Sequence, residues 1–357
     1  MEDRRALLDF TRAELEGTLR EWDQPGFRAG QVFAWLHKGV PFGGMSDLPQ
    51  SLRERLAMEY LDLPATCRQV ITSGKDGTVK FLFACADGNL IEGVLMRYHY
   101  GYSLCISTQV GCRMGCLFCA SALGGCVRDL SAGEMLSQVI LANRFLGEQG
   151  RTSHVVLMGS GEPLANYDQT VRFLRLVSDR RGLHMSLRNI SLSTCGLVPE
   201  IRRLAGEGLP VTLCISLHGP NDGIRGQIMP IARRYSLQPL MAAVRAYIRQ
   251  TGRRVIFEYA LIDGLNSDAS HARELARLVA GIQCHVNIIP LNPVPERRLS
   301  APGPEQVRAF LRTVENLGIS VTCRREMGAD IGGACGQLRR RHLKSEAKVD
   351  RIGEEKG

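Results

Sequence analysis

Hydrophobic positions recur at helical spacing through the first sixty residues and then change to a strand pattern. Three amphipathic segments place apolar side chains three and four positions apart, and they are residues 5–22, 27–37 and 48–61. Four later segments alternate or run apolar between turn residues, and they are residues 69–73, 78–84, 90–96 and 103–108. The pattern predicts a small helical module, followed by antiparallel strands that lead into a larger domain.

From residue 112 onward, apolar runs of strand length alternate with amphipathic segments of helix length. The runs are residues 154–158, 190–194, 211–216, 255–261, 286–290 and 319–323. Strands that alternate with helices form βαβ units around a parallel sheet, which is either open or closed wholly or partly into a barrel. In either form, ligands bind at the carboxyl ends of the strands.

Length and composition are those of an ordinary globular protein. The chain has 357 residues, of which 44% are hydrophobic, which is enough for a large core. The opening segment is charged, and no run of about 18 apolar residues occurs, so we expect a cytoplasmic protein with no membrane partner. Its 12 cysteines are too few for a disulfide scaffold. In a reducing compartment, clustered cysteines are expected to be ligands or catalysts.

The charge balance favours a polyanionic partner. The net charge is +9 and the isoelectric point is near 9.1, and neutralising phosphates with Lys and Arg releases counterions. The basic residues form short groups, namely Arg233-Arg234, Arg253-Arg254, Arg324-Arg325 and residues 339–341 with Lys344. Any single group is explained as solvated surface, whereas their repetition along the chain favours nucleic acid.

The most informative stretch is CRMGCLFC, which places Cys112, Cys116 and Cys119 at the spacing C-x3-C-x2-C. Three thiolates on one short loop suit an iron–sulfur cubane whose fourth iron lacks a protein ligand and can bind a small molecule. A zinc site is the alternative, although zinc sites usually use paired CxxC units or CxxC with histidines.

These residues resemble the signature of the radical S-adenosylmethionine (SAM) superfamily, which has an aromatic residue before the last cysteine, here Phe118. The resemblance implies an α/β fold, a partial (β/α)6 barrel with the cluster loop after its first strand. It also implies that SAM chelates the open iron of a [4Fe–4S] cluster, and that one electron cleaves SAM to a 5′-deoxyadenosyl radical.

Polar residues follow several predicted strands, where such a barrel would bind SAM. The segment MGSGEPLAN supplies Gly161 for close backbone approach and Glu162 as a carboxylate partner for an ammonium group. Further candidates at strand ends are Ser193, Ser216, Leu217, His218 and Asn292. Each alone is explained as a strand-end cap, but several strands with polar residues at one rim indicate a shared ligand.

Nearly the whole chain resembles the RlmN type of 23S rRNA and tRNA adenine-C2 methyltransferases, which are related to Cfr. The matching segments are CISTQVGCRMGCLFCASA, GSGEPLAN, ISLSTCGLVP, SLHGPND, FEYALIDGLN, IPLNPVP and GADIGGACGQL. Three places depart from the usual pattern, namely Ser160, Gly219 and the pair Gly332-Gly333.

The resemblance implies roles for three further residues. Cys335 would accept a methyl group from one SAM, and a second SAM would generate the radical that activates this methyl for addition to the base. Cys105 would then attack the Cys335 sulfur, forming a transient disulfide, and Glu92 would accept the C2 proton. Without the resemblance, these residues would be interpreted as a strand cysteine, a loop cysteine and a strand carboxylate.

The sequence therefore predicts a monomeric radical SAM enzyme that methylates C2 of adenosine 2503 in 23S rRNA and adenosine 37 of some tRNAs, using two SAM and an external electron donor of the flavodoxin type. The expected organisation is an N-terminal helical, RNA-binding domain (1–65), a β extension (66–104), the barrel with the catalytic-cysteine loop (105–342) and a charged tail (343–357). The alternatives are a Cfr-type C8 methyltransferase and, more remotely, a zinc-stabilised RNA-binding protein.

Overall fold

The main sheet of the protein contains both antiparallel and parallel strand pairs. The computed structural model describes residues 4–292, 294 and 296–332. The strands are β1 (Ala65–Thr72), β2 (Val79–Cys85), β3 (Leu90–Tyr98), β4 (Gly101–Cys105), β5 (Gln109–Gly111), β6 (Cys126–Asp129), β7 (Thr152–Leu157), β8 (Ile190–Thr194), β9 (Thr212–Ser216), β10 (Val255–Leu261), β11 (Cys284–Pro290) and β12 (Val321–Cys323). The helices are α1 (Arg12–Arg20), α2 (Phe27–His37), α3 (Gln50–Glu59), α4 (Ala132–Leu146), α5 (Tyr167–Ser178), α6 (Val198–Ala205), α7 (Asp222–Ile228), α8 (Leu237–Thr251), α9 (Ala269–Val279) and α10 (Pro304–Asn316).

Ten strands form one sheet in the order β1-β2-β3-β4-β7-β8-β9-β10-β11-β12. From β4 to β12 all neighbours are parallel, and helices lie between the consecutive strands β4, β7, β8, β9, β10 and β11. Six strands with their helices are the predicted partial (β/α)6 barrel, and that prediction is confirmed. The predicted helical module before the barrel is also present, as α1 to α3.

Strand β4 belongs to both pairing modes, because it is antiparallel to β3 and parallel to β7. We expected residues 103–108 to belong with the antiparallel strands. The observed strand begins at Gly101, ends at Cys105 and is also the first strand of the parallel set. The domain boundaries remain predictions, but the hairpin strands β1–β3 continue the barrel sheet without a break.

The predicted first helix, residues 5–22, is interrupted at Thr11. A single turn covers Leu7–Asp9, and α1 then begins with a capping box in which the Thr11 side chain accepts from Glu14 N while the Glu14 carboxylate accepts from Thr11 N. The Asp9 carboxylate in turn accepts a hydrogen bond from Gly133 N at 2.6 Å, in the first turn of α4. The N-terminal helices are thus joined to the barrel, and both share one hydrophobic core.

His37, at the end of α2, is buried between the N-terminal module and the barrel. Its ring stacks on Phe33 with the centroids 4.1 Å apart, and neither ring nitrogen has a hydrogen-bond partner within the described ranges. Burial lowers the pKa of His37 to about 4. The unfolded chain, in which the pKa is near 6.5, therefore binds a proton that the folded chain does not bind between these values.

We expect acid to destabilise the protein through His37, since stability is lost as the pH falls below about 6.5. Replacing His37 with Gln should reduce the stability loss between pH 7 and pH 5 by about 2 kcal/mol relative to wild type. Denaturant unfolding of both proteins at the two pH values measures this difference. Equal losses in the two proteins would show that the pKa of His37 is not lowered in the folded state.

No helix in the portion of the chain that the structure describes is long and apolar enough to cross a membrane.

Candidate active site at the carboxyl ends of the parallel strands

The cluster loop, which carries Cys112, Cys116 and Cys119, lies between β5 and β6. These two strands pair antiparallel as a small ribbon outside the main sheet. Cys112 N donates to Gly125 O at 2.8 Å, and Leu117 N donates to Ile228 O at 2.9 Å at the end of α7. Gly111 has φ +84°, and a Cβ there would collide with the carbonyl of Gly125. The glycine therefore lets the two strands close around the loop.

The loop has the chemistry of an iron–sulfur site. Met114, Cys116 and Phe118 pack against a small apolar cluster that includes Ile228 and Met229. Burial raises the pKa of Cys112 to about 12, and burial together with the neighbouring thiols raises the pKa of Cys116. Such thiols become thiolates only when a bound group supplies compensating positive charge, as the irons of a cluster do.

The three cysteines are not gathered as ligands of one ion. Within residues 4–292, 294 and 296–332, no three His, Cys, Asp or Glu side chains are close enough to hold a single metal. A cubane does not require such an arrangement, because each cysteine binds a different iron. The residues of the loop therefore fit a [4Fe–4S] cluster.

Glu162 is buried at the end of β7 and connects three parts of the site. Its two carboxylate oxygens accept from Leu164 N at 3.0 Å and from Cys195 N at 2.7 Å, and its own N–H donates to Gln109 Oε1 at 2.9 Å. Burial raises the pKa of Glu162. The side chains of Thr194 and Cys195 also hydrogen-bond to this carboxylate, so an ammonium group would compete with them for its lone pairs.

Gly161 precedes this carboxylate with φ +114°, and a Cβ there would lie 2.6 Å from Thr108 Oγ1 and 2.7 Å from Gln109 N. Only glycine allows the turn after β7 to approach the backbone after β4 this closely. The approach predicted from MGSGEPLAN was to a bound ligand and stays a prediction; the observed neighbour is the segment that leads into the cluster loop, which was not predicted.

The serines predicted to bind a ligand lie at neighbouring strand ends. Ser193 on β8 and Ser216 on β9 are half-buried, with their hydroxyl oxygens 3.4 Å apart. Leu217 is fully buried, and its N–H donates to Glu258 O while its carbonyl accepts from Gly219 N. The two serines can therefore offer side-chain hydroxyls to a ligand, whereas Leu217 contributes packing.

His218 joins the strand ends to the cluster loop. Its ring meets Phe118 edge-on with centroids 4.6 Å apart, and its Nδ1 accepts from Ala260 N at 2.9 Å. Burial and the nearby Arg225 lower the pKa of His218 to about 3, so the ring is neutral at physiological pH. Its backbone has φ +54°, and Asn266 donates to its carbonyl at 2.8 Å. This residue positions the aromatic side chain beside Cys119.

The structure places Asn292 differently from the other candidates. It is exposed and follows the carboxyl end of β11, on the same edge of the sheet as the serines. Cys335, the predicted methyl carrier, lies outside the described residues.

Glu92 and Cys105 share the interior face of the antiparallel extension. Cys105 pairs with Val94 across β3 and β4, and Glu92 is two positions from Val94, so all three side chains point to one side. Cys105 also contacts the apolar group that contains Val156, Met158 and Met327. The two residues that sequence similarity assigned to one reaction are therefore neighbours on one face.

Two polar residues of the site were missed from the sequence. Gln109 binds Glu162 N through Oε1 and Asp129 through Nε2 at 2.6 Å. Lys80 is fully buried, and its ammonium lies 3.0 Å from the Glu92 carboxylate. A signal for Lys80 existed, because VKFLFAC and LIEGVLM each carry one charged residue within an apolar strand.

Comparison with known proteins shows the family to which the chain belongs. Residues 106–278 match the radical SAM superfamily model, and residues 5–60 match the "Ribosomal RNA large subunit methyltransferase N-terminal domain". The chain is 49% identical to the "Probable dual-specificity RNA methyltransferase RlmN" of Alkaliphilus oremlandii, over 95% of this chain and 98% of the relative. The protein of the same name from Lachnospira eligens is 50% identical, over 91% and 93%.

A solved structure gives the same result. The crystal structure of a radical SAM methyltransferase from Sphaerobacter thermophilus superimposes with a TM-score of 0.90 at 44% identity, covering 93% of this chain and 98% of that one. The chain belongs to the RlmN family of the radical SAM superfamily. The relatives match both the barrel and the N-terminal helices, so the likeness to RlmN proteins covers the whole architecture.

Of the positions noted as unusual from the sequence, Gly219 and Gly332 have a local structural reason to be glycine. A Cβ at Gly219 would come within 2.7–2.9 Å of Arg225 N, Cα and Cβ, so this position requires glycine. Arg225 is itself fully buried and donates to Cys195 O at 2.7 Å. Ser160 is buried, with its N–H bound to Ser107 Oγ at 3.1 Å. Gly332 has φ +61°, which glycine adopts without strain, whereas Gly333 lies outside the described residues.

Proposed function

We propose that this protein methylates C2 of an adenosine in RNA, with adenosine 2503 of 23S rRNA as the main target and adenosine 37 of some tRNAs as a second. Membership of the RlmN family gives the reaction class, and the protein is a radical SAM RNA methyltransferase. The observation that carries the finer proposal is the placement of Glu92 and Cys105 on one interior face, where β4 leads into the cluster loop.

The cofactor site is proposed from the strand ends. Cys112, Cys116 and Cys119 would hold a [4Fe–4S] cluster, which together with SAM supplies a 5′-deoxyadenosyl radical. Residues proposed to bind SAM are Gly161, Glu162, Ser193, Ser216, Leu217, His218 and Asn292. Among these, the Glu162 carboxylate suits the SAM ammonium group. Phe118 and the neutral ring of His218 exclude water on the side of the loop.

The protein's own thiols carry the methyl group. Cys335 would take it from a first SAM as a thiolate nucleophile. The carrier carbon would bond to C2 of the base as a radical, the adduct would give up one electron to the cluster, and Glu92 would accept the proton that C2 loses. The Cys105 thiolate then attacks the Cys335 sulfur and forms a disulfide with it. The sulfur–carbon bond breaks, and its electron pair stays on the carrier carbon, which takes up a proton to become the methyl group. Two SAM are used, giving S-adenosylhomocysteine, 5′-deoxyadenosine and methionine.

The RNA partner is supported by charge. Arg233, Arg234 and Arg325 are exposed and available to phosphates. Arg253 is different, since its guanidinium binds Val211 O at 2.9 Å and Thr212 Oγ1 at 3.2 Å and so ties β9 to the end of α8. The basic group at residues 339–344 lies outside the described part of the chain.

We further propose that the enzyme is a cytoplasmic monomer reduced by an external donor of the flavodoxin type.

The expected product is 2-methyladenosine rather than 8-methyladenosine. The reason is the likeness to RlmN proteins, because C2 and C8 lie on opposite sides of one purine and its orientation in the site decides which carbon is reached. Purified enzyme would be incubated anaerobically with unmodified 23S rRNA fragment, SAM and a reductant, and the digested nucleosides separated by chromatography. The Cys335→Ala variant, which should yield neither isomer, is the control. A dominant 8-methyladenosine peak would instead place the protein with the Cfr-type enzymes.

A further inference from the structure

Lys80 carries its charge in the middle of a buried strand. It is 0% exposed on β2, where its neighbours Val79 and Phe81 are also buried. In the β2–β3 register, Lys80 pairs with Val94 and Leu82 pairs with Glu92, so Lys80 and Glu92 project from the same face. The ammonium nitrogen lies 3.0 Å from Glu92 Oε2. The residue proposed to accept the C2 proton is therefore held by a buried cation.

The same ammonium has a second contact at the far end of the chain. Lys80 Nζ donates to Gly332 O at 2.6 Å, across 252 positions of sequence. Gly332 comes three residues before Cys335. One side chain thus touches both the proposed proton acceptor and the backbone that leads to the proposed methyl carrier.

The hairpin turn before Lys80 reinforces this link. Ser73 Oγ donates to Asp330 Oδ1 at 2.7 Å, and Gly74 N donates to Asp330 Oδ2 at 3.1 Å. In the other direction, Gly328 N donates to Asp76 Oδ2 at 2.8 Å. The β1–β2 hairpin therefore holds residues 328–332, which we call the docking segment, through three polar contacts before Lys80 adds the fourth.

A buried ion pair is weak evidence of a gain in stability, because removing two charges from water costs about as much as their attraction returns. Apolar residues of similar size would satisfy the fold equally well at these positions. What apolar residues cannot do is fix a carboxylate and a backbone carbonyl relative to each other. The geometry of Lys80 supplies that connection.

We propose that Lys80 is a positioning residue, which sets the Glu92 carboxylate and the docking segment in a fixed relation for the release of the methylated base. This inference rests on the proposed function. Lys80 touches neither base nor cofactor in this scheme and acts through Glu92 and through the chain that carries Cys335. Its loss should therefore slow the late chemistry without weakening the binding of RNA.

The test is Lys80→Met in the cluster-loaded enzyme, with Lys38→Met as the control, since Lys38 is an exposed lysine that directly follows α2 and lies outside the β1–β2 hairpin. We expect kcat to fall roughly 10²-fold in Lys80→Met, the lower range for loss of a general base. The KM for RNA should change less than about twofold. A covalent protein–RNA adduct should accumulate on denaturing gels, because the C2 proton is retained. Lys38→Met should keep the wild-type kcat and should form no lasting adduct.

A double-mutant cycle separates positioning from folding. If Lys80 acts partly through Glu92, then Lys80→Met/Glu92→Gln should be slower than Glu92→Gln alone by much less than the roughly 10²-fold that Lys80→Met costs in otherwise wild-type enzyme. Multiplication of the two single effects on kcat, or wild-type turnover by Lys80→Met, would overturn the inference.

Amide hydrogen exchange tests the link to the docking segment without measuring activity. The double variant removes both charges of the Lys80–Glu92 pair together, so it remains informative even if Lys80→Met does not fold. Its docking segment should exchange at least tenfold faster than that of Glu92→Gln, which keeps the contact to Gly332. Equal exchange would overturn the inference. Wild-type enzyme that makes no methylated adenosine would contradict the proposed function instead, while faster exchange would still support the tether.

Discussion

A variant in which Cys112, Cys116 and Cys119 are all replaced by alanine is expected to contain neither iron nor sulfide and to have no activity. Anaerobically prepared wild-type protein should bind about four irons and four sulfides, which give a brown visible absorbance. The three thiols are the proposed protein ligands of the cluster, each for a separate iron. Their removal therefore eliminates binding rather than weakening it.

Iron and sulfide assays together with the visible spectrum measure this result. The control is the triple variant of Cys67, Cys284 and Cys323, which lie on β1, β11 and β12 away from the cluster loop. It should retain the full cluster, because it removes the same number of thiols from the same chain. Full iron and sulfide occupancy in the loop variant would refute the ligand assignment.

Replacing Cys105 and Cys335 separately is expected to stop the reaction at different stages. Cys335→Ala removes the methyl carrier, so no RNA adduct and no methylated base should form. Cys105→Ala keeps the carrier but lacks the thiol that resolves the adduct, so a covalent protein–RNA complex should accumulate. Turnover should fall roughly 10³-fold or more in each variant, as for other residues essential to covalent catalysis.

Denaturing gels with labelled RNA, followed by mass spectrometry of the linked peptide, distinguish the two outcomes. Cys85→Ala is the matched control for Cys105→Ala, because Cys85 is also a buried strand cysteine but lies on β2. It should form no lasting adduct and should turn over as wild type does. A Cys105→Ala enzyme with wild-type turnover would show that another group resolves the adduct.

The cluster loop and the barrel could be predicted from the sequence because their signals are local. Three cysteines within eight residues define a ligand set, and regularly alternating strands and helices define a parallel sheet. The ribbon of β5 and β6 could not be predicted, since strands of three and four residues are too short to show a period. Strand β4 was only partly predicted, because pairing partners on its two sides follow from topology rather than from its own residues.

The site was predictable where residues act near their own position in the chain. Gly161 and Glu162 follow the end of β7 by four and five residues, near the predicted position, and their role in binding a ligand stays a prediction. The contacts of Glu162 with Cys195 and of Lys80 with Gly332 join positions 33 and 252 residues apart. The periodicity of apolar residues predicts local elements and not contacts between such distant positions, so only the fold reveals these contacts.

Lys80 and Gly332 are 252 positions apart in the chain, so their contact forms late in the synthesis of the protein. Translation releases the chain from its N-terminus, so the strand that carries Lys80 and Glu92 emerges long before residues 328–332. A ribosome-bound chain that has completed β11 already contains every proposed cluster ligand. It still lacks the segment that Lys80 holds, together with Cys335 beyond it. On the proposed assignments, a nascent chain would acquire its iron before Cys335 has been synthesised, and its methyl-transfer chemistry would begin only when translation is nearly finished.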